Sequence, residues 1–442
     1  MKFIARGWRA VLSLPAVVFV FGCDQSPTSS DRVPIPQFSI APGSGSWTTK
    51  APMPTGRTYP SVGVVNGIIY AVGGEGNFTE LTVNEAYDPT TDSWSSKASA
   101  PTGVDQSAAA VVSGVLYVVS GSTGFACQGS YVGTNRAYDP ATDTWTTKAP
   151  DPTPRCGAAA AAVGGLLYVV GGAAGAAPTL EAYNPATDTW TTKAPIPTPR
   201  ELLAAAVVNG VIYVLGGHDN TGVLSTVEAY DPTTDAWTTK APMPTARGGL
   251  AAEVINGILY AVGGVDATGV LNTVEGYDPS TSTWTTVASM PTARCCVGAG
   301  AVNGSVFALG GNSASSKHLT TDEAFAPPFN FIGFFQPVDN PPVVNSTKAG
   351  SAIPVKFSLH GNQGLAIFAP GYPGSQNQTC SGGVTDAIEQ TVTANSSGLT
   401  YDPVSDQYNY VWKTSKSWAG TCRVLSLGFT DGSIYQALFS FN

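Results

Sequence analysis

Trp237-Thr238-Thr239-Lys240-Ala241-Pro242-Met243-Pro244-Thr245 decides how this chain is read, because with small changes it is written six times. The other copies open at Trp47, Trp94, Trp145, Trp190 and Trp284, at intervals of 45 to 51 residues. A period of that length marks a repeat architecture, in which stacked units bury together what one unit leaves exposed. The remainder of each copy is equally regular. Ten residues after five of the Trps stands an arginine: Arg57, Arg155, Arg200, Arg247 and Arg294, with Val104 in the second copy. Then follow a turn dipeptide such as Asn209-Gly210, an apolar run ending in Gly-Gly, and an aromatic residue: Tyr87, Tyr138, Tyr183, Tyr230, Tyr277 or Phe325.

Each copy reads as four short strands. In the fourth, Leu202 to Val208 and Val211 to Leu215 flank a two-residue hairpin turn, Val227 to Tyr230 is a third strand, and Trp237 to Lys240 is the last. The Ala- and Val-rich first run suits a crowded innermost position. Gly-Gly permits backbone angles closed to other residues, and Tyr and Trp supply large apolar area. The ordered set of Trp, Arg, turn, Gly-Gly and Tyr resembles the kelch repeat over residues 47 to about 326. That resemblance implies a β-propeller. The sixth copy lacks a Trp strand after Phe325, whereas one stands unclaimed at the front, Trp47 to Lys50. The expected fold is therefore all-β: a six-bladed kelch β-propeller closed by an N-terminal strand, followed by a small Ig-like β-sandwich.

Residues 1–22 read as an export signal: Lys2, Arg6 and Arg9 precede an apolar stretch from Ala10 to Gly22. The end, Val20-Phe21-Gly22-Cys23, resembles a bacterial lipoprotein cleavage box, which implies lipidation at Cys23 and anchoring to a membrane surface; ordinary secretion is the alternative. Residues 23–46, rich in Ser, Pro and Gly, read as a tether. The expected location is extracytoplasmic, at the cell envelope or surface. Without Cys23, six cysteines remain of the seven. Cys380 and Cys422 are alone in the C-terminal region and are expected to pair. Cys127 and Cys156 fall on one face of neighbouring copies, within reach of a bridge. Cys295 and Cys296 are adjacent, as two thiols or a vicinal disulfide.

Residues 327–442 leave the repeat and carry short β-like runs at Val355 to Leu359, Tyr408 to Thr414, Cys422 to Phe429 and Ile434 to Phe441. Gly333-Phe334-Phe335-Gln336-Pro337-Val338-Asp339-Asn340, Pro354-Val355-Lys356-Phe357, Val411-Trp412-Lys413-Thr414 and Trp418-Ala419-Gly420-Thr421-Cys422 resemble the PxKF domain of bacterial exported proteins. The resemblance implies an extracytoplasmic accessory module. Lys356 reads as a solvated strand lysine.

All length variation within the repeats lies between Gly-Gly and the aromatic, from 11 to 17 residues. These loops share a face with the Arg positions, and variable loops on a rigid scaffold are where binding sites sit. Animal kelch adaptors resemble this arrangement in binding partner peptides there. Candidate binding residues are Arg57, Arg155, Arg200, Arg247 and Arg294, with Phe78, Phe125, Tyr131, His218 and His318 in the loops. Five arginines could take a carboxylate. The favoured reading pairs them instead with Glu85, Glu181, Glu228, Glu275 and Glu323, which stand two residues before the aromatic; the second copy, with Val104, has Arg136 there, so both partners are lost together. With 21 basic and 30 acidic residues and no basic cluster, nucleic acid is not an expected partner. Three histidines with no Cys/His ligand spacing point to no metal, and no cofactor or catalytic motif is legible. The expected function is a binding module for a protein, peptide or glycan. The alternative is a sugar-modifying propeller enzyme resembling the sialic-acid mutarotases.

Overall fold

The computed structural model describes residues 43–442 apart from 78, 104, 125–126, 128–129, 174–178, 330, 360–362, 364, 366, 381–388, 394–397 and 432. The leader and Cys23 lie outside the described residues. Up to Ala326 the main elements are six four-stranded antiparallel sheets. Sheet one is Ser61–Val65, Ile68–Val72, Asn84–Asp88 and Ser93–Lys97; sheet two is Ala108–Val112, Val115–Val119, Asn135–Asp139 and Thr144–Lys148. Sheet three is Ala159–Val163, Leu166–Val170, Leu180–Asn184 and Thr189–Thr192; sheet four is Ala204–Val208, Val211–Leu215, Val227–Asp231 and Ala236–Lys240. Sheet five is Ala251–Ile255, Ile258–Val262, Val274–Asp278 and Thr283–Thr286. Sheet six takes Gly298–Val302, Ser305–Leu309 and Asp322–Ala326 from the end of the repeats and Ser46–Thr49 from their beginning, with Trp47 opposite Phe325.

The chemistry of each turn explains its hairpin. Asn209 and Gly210 both take positive φ, 51° and 79°, the left-handed pair whose twist matches that of the flanking strands. On the third and fourth strands the aromatic and the Trp face each other, with ring centroids 5.0 to 5.2 Å apart in all six sheets. Each indole N–H then reaches back to the carbonyl of the alanine that follows the preceding Trp strand. Trp94 donates to Ala51 (2.9 Å), Trp145 to Ala98 (2.7 Å) and Trp190 to Ala149 (2.8 Å). Trp237 donates to Ala194, Trp284 to Ala241 and Trp47 to Ala288 (2.9, 2.9 and 2.8 Å).

Between sheets, the aromatic of one second strand meets the aromatic of the next third strand. The pairs are Tyr70–Tyr138, Tyr117–Tyr183, Tyr168–Tyr230, Tyr213–Tyr277, Tyr260–Phe325 and Phe307–Tyr87. All twelve rings lie within a few per cent of full burial. The six first strands surround a cavity of about 380 Å³ walled almost entirely by Ala, Val, Gly and Ser.

After Ala326 come two five-stranded sheets. One is Gly333–Phe335, Ala352–Ser358, Gln407–Lys413, Val392–Thr393 and Leu399–Asp402; the other is Val344–Thr347, Ile434–Phe441, Cys422–Gly428, Gly374–Gln378 and Glu389–Gln390. Their core contains Val355, Phe357, Tyr408, Trp412, Leu425, Leu427, Phe439 and Phe441. Along Ala352–Ser358 the buried residues alternate with partly exposed ones, and Lys356 falls on the partly exposed side.

Disulfides join Cys127 to Cys156 and Cys380 to Cys422. Cys295 and Cys296 are free and buried, with their sulfurs 2.9 Å apart. Most expected strands shift by a residue at one end; in sheet four the largest difference is that the first strand begins at Ala204, not Leu202. Leu202 takes a φ of 54°, which no strand accommodates, for a reason that belongs to the next level of organisation.

Candidate binding face

The five arginines are the hinge between sequence and site. Each lies just before a first strand, and its guanidinium turns into its own sheet. Nη1 donates to the carbonyl of the first glycine of Gly-Gly: Arg57 to Gly73, Arg155 to Gly171, Arg200 to Gly216, Arg247 to Gly263 and Arg294 to Gly310, at 3.0 to 3.4 Å. A second bond goes to the carbonyl entering the third strand, at Val83, Thr179, Thr226, Thr273 or Thr321. Nη2 pairs with the glutamate of that strand: Glu85, Glu181, Glu228, Glu275 and Glu323. The other oxygen of each glutamate accepts the threonine hydroxyl of the Pro-Thr pair before the arginine, from Thr55, Thr153, Thr198, Thr245 and Thr292 at 2.7 to 3.0 Å. The arginines are 0 to 4 % exposed, so they meet carboxylates of their own sheets rather than solvent. Breaking such a buried pair strands a charge, which is why its members change together.

Sheet two makes the point. Arg136 replaces the glutamate and bonds the Thr102 hydroxyl at 2.6 Å; Ser120 replaces the first glycine, keeps a φ of 60°, and donates to Asp151 at 2.5 Å. Asp151 also grips Arg155 at 3.0 Å, so in sheet three one guanidinium serves two carboxylates. Burial and the neighbouring Asp151 push Glu181 up to about 7, while the hydrogen bonds and charge of Arg155 hold Asp151 below the usual carboxylate range despite its burial.

Beyond each arginine the backbone does two things in succession. The next residue bridges to the strand leaving Gly-Gly: Thr58 to Glu75, Asp105 to Ser122, Cys156 to Ala173, Glu201 to His218, Gly248 to Val265 and Cys295 to Asn312. The one after it adopts a left-handed φ of 49° to 63°: Tyr59, Gln106, Gly157, Leu202, Gly249 and Cys296. These six residues border one end of the cavity, and five of them pass a backbone hydrogen bond to the preceding sheet. Gly157 donates to Gln106, Leu202 to Gly157, Gly249 to Leu202, Cys296 to Gly249 and Tyr59 to Cys296, at 2.7 to 3.0 Å. Leu202 is thus a rim residue. Nothing in its side chain announces that, since four of the six pay the cost of a non-glycine left-handed conformation for these bonds. Burial and the adjacent Cys296 thiol push the Tyr59 phenol up; contact with Cys296 lowers Cys295 and raises its partner.

The loops between second and third strands fold as two-stranded hairpins at Glu75–Gly76/Thr79–Glu80, Ser122–Thr123/Ser130–Tyr131, His218–Asp219/Gly222–Val223 and Val265–Asp266/Gly269–Val270. Asp219 and Asp266 cap their own turns by accepting the amides of Thr221 and Thr268 at 2.7 Å. Tyr131, 37 % exposed, is the large apolar group these hairpins offer to solvent among the described residues. His318 reaches from sheet six to Glu75 of sheet one at 2.9 Å. The His218 ring occupies the space over Gly248 of sheet five, where an added Cβ would lie 2.1 Å from it. Both histidines therefore lie across seams. Phe78, Phe125 and Val104 lie outside the described residues. Among the described residues no group of three or more His, Cys, Asp and Glu could hold a metal, and no helix is long and apolar enough to cross a membrane.

Four-stranded sheets stacked edge to axis, with loops of one face varying over a constant frame, define a propeller-like repeat protein. Kelch repeat domains are found in this chain. Residues 146–311 match the KLHDC2/KLHL20/DRC7 Kelch-repeats domain, and residues 56–101 and 106–152 each match the Kelch motif. A solved structure described as "Structure of YjhT" is similar, with a TM-score of 0.55 and 18% identity over 62% of this chain and 95% of that one. At that identity the likeness carries the fold alone. No curated protein matches the chain.

Proposed function

We propose that the chain is an exported, lipid-anchored binding protein whose kelch propeller offers its hairpin face to a protein, peptide or glycan. In this reading the six sheets are six blades closed into a ring by the N-terminal strand. Residues 1–22 are the signal, Cys23 carries the lipid, and 24–46 are the tether. Residues 327–442 are an accessory Ig-like sandwich of PxKF type. The two disulfides fit an oxidising compartment.

One observation carries the binding reading. The five repeat arginines are consumed inside the blades, each paired with a glutamate of its own sheet. Length variation gathers instead in the loops of one face, where Tyr131 is the exposed large apolar side chain among the described residues. The test is binding of the full chain to peptide and glycan arrays, followed by titration of the best probe. Saturable binding to one class is expected, weakened at least tenfold by Tyr131→Ala with His218→Ala, and unchanged by Ala141→Glu in a turn on the other face. Equal loss from Ala141→Glu would contradict the reading, as would interconversion of a free sugar's anomers at an enzymatic rate.

A further inference from the structure

Two thiols stand free at the rim. Cys127 is joined to Cys156 and Cys380 to Cys422, whereas Cys295 and Cys296 keep their sulfurs 2.9 Å apart. That gap exceeds a disulfide bond by only about 0.9 Å. Neighbouring side chains in extended backbone point to opposite faces. Here the left-handed φ of 62° at Cys296 accompanies two sulfurs turned toward each other. The rim turn itself does not require them: sheet five makes it with Gly248 and Gly249.

The surroundings suit a reaction. Cys296 lines the rim pocket together with Tyr59, Gln106 and Leu202. Cys295 and Cys296 retain 7 and 6 % of their surface, so neither is sealed off. The hydrogen bond between the thiols lowers Cys295 and raises Cys296. Cys295 is therefore the one that ionises first, and the thiolate is the nucleophile.

We propose that Cys295 and Cys296 are a reversible modification site, closing to a vicinal disulfide by exchange with a low-molecular-weight disulfide. The Cys295 thiolate attacks one sulfur of the reagent, which forms a mixed disulfide and releases one thiolate. Cys296 then loses its proton, attacks the Cys295 sulfur and expels the second thiolate. The protein thiols lose two electrons, and their two protons end on the released thiolates. Adjacent Cα atoms are about 3.8 Å apart, short of the roughly 4.4–6.8 Å that disulfides span, and a bridge strained in this way is readily reduced. The pair should therefore reopen under conditions that leave Cys380–Cys422 closed. Its place matters to the rim: the Cys296 N–H donates to Gly249 of sheet five, and its carbonyl accepts the N–H of Tyr59 of sheet one. The bridge forms where two seams meet.

The test is to equilibrate the full chain in mixtures of β-mercaptoethanol and its disulfide, block remaining thiols with N-ethylmaleimide, and map the peptides by mass. As the disulfide fraction rises, Cys295 and Cys296 are expected to pass together from blocked to bridged, with no lasting mercaptoethanol adduct. On return to the thiol they should reopen before Cys380–Cys422. Cys296→Gly installs the residue of sheets three and five and suits a left-handed φ; thermal melting verifies its fold. That variant should instead accumulate the adduct on Cys295. A pair that stays blocked in every mixture, holds a lasting adduct, or reopens only after Cys380–Cys422 overturns the proposal, as does a folded Cys296→Gly that takes up no adduct.

Discussion

At the scale of residues, the repeat is one hydrogen-bonded sentence. Arginine, Gly-Gly carbonyl, glutamate and threonine recur together because each satisfies another. The Arg–Glu covariation was legible in the sequence, through Val104 and Arg136, since a buried charge without its partner is costly. The role of Gly-Gly was only half legible. Beyond left-handed φ, Gly216 is needed because a Cβ there would lie 2.4 Å from the carbonyl of Arg247 in the next sheet. Removing one partner should therefore cost more than removing both. Arg247→Ala, which leaves Glu275 buried and unpaired, is expected to destabilise the chain by about 3–5 kcal/mol. Arg247→Met with Glu275→Leu should cost less than the single change. Urea unfolding of the two variants decides it; a double variant worse than Arg247→Ala would mean the pair is not the unit.

Among elements, the seam that takes the N-terminal strand carries a distinctive group. Asp322 opens the third strand of sheet six, where sheets one and two have Asn84 and Asn135 donating to Ala98 and Ala149. Its backbone carbonyl accepts the amide of Lys50 at 2.9 Å. Burial pushes the Asp322 carboxyl up to about 8, outweighing the nearby Arg294. A carboxyl whose folded value exceeds its unfolded one holds a proton that the unfolded chain releases. Its favourable contribution is complete below about pH 4 and is lost as pH rises to about 8. Asp322→Asn, which reproduces the sister residue, should flatten the fall in stability between pH 5 and 8 by roughly 1–3 kcal/mol. The midpoint of urea unfolding at those two pH values measures it, and an unchanged slope would refute the assignment. Strand positions were legible almost to the residue where turn chemistry bounds them, as at Asn209-Gly210. The rim was not: Leu202 reads as strand, and its left-handed turn is imposed by bonds to Gly157 and Gly249 of the neighbouring sheets, which no local pattern encodes.

For the whole molecule, the account rests on circular continuity. Indole bonds and aromatic seams link each sheet to the next, with Trp94 to Ala51 and Phe307 against Tyr87 joining sheet six to sheet one, and backbone rim bonds span five of the six seams. In the proposed ring the N-terminal strand gives the last sheet the four strands that the other five already have. The most direct test is native-state hydrogen exchange at Thr48 and Lys50, whose amides face Asp322–Ala326 across the closing pair. Exchange as slow as that of Asp322–Ala326 itself, governed by global unfolding, is the predicted result. Exchange at the rate of an unstructured peptide, with Asp322–Ala326 still protected, would contradict the closed ring.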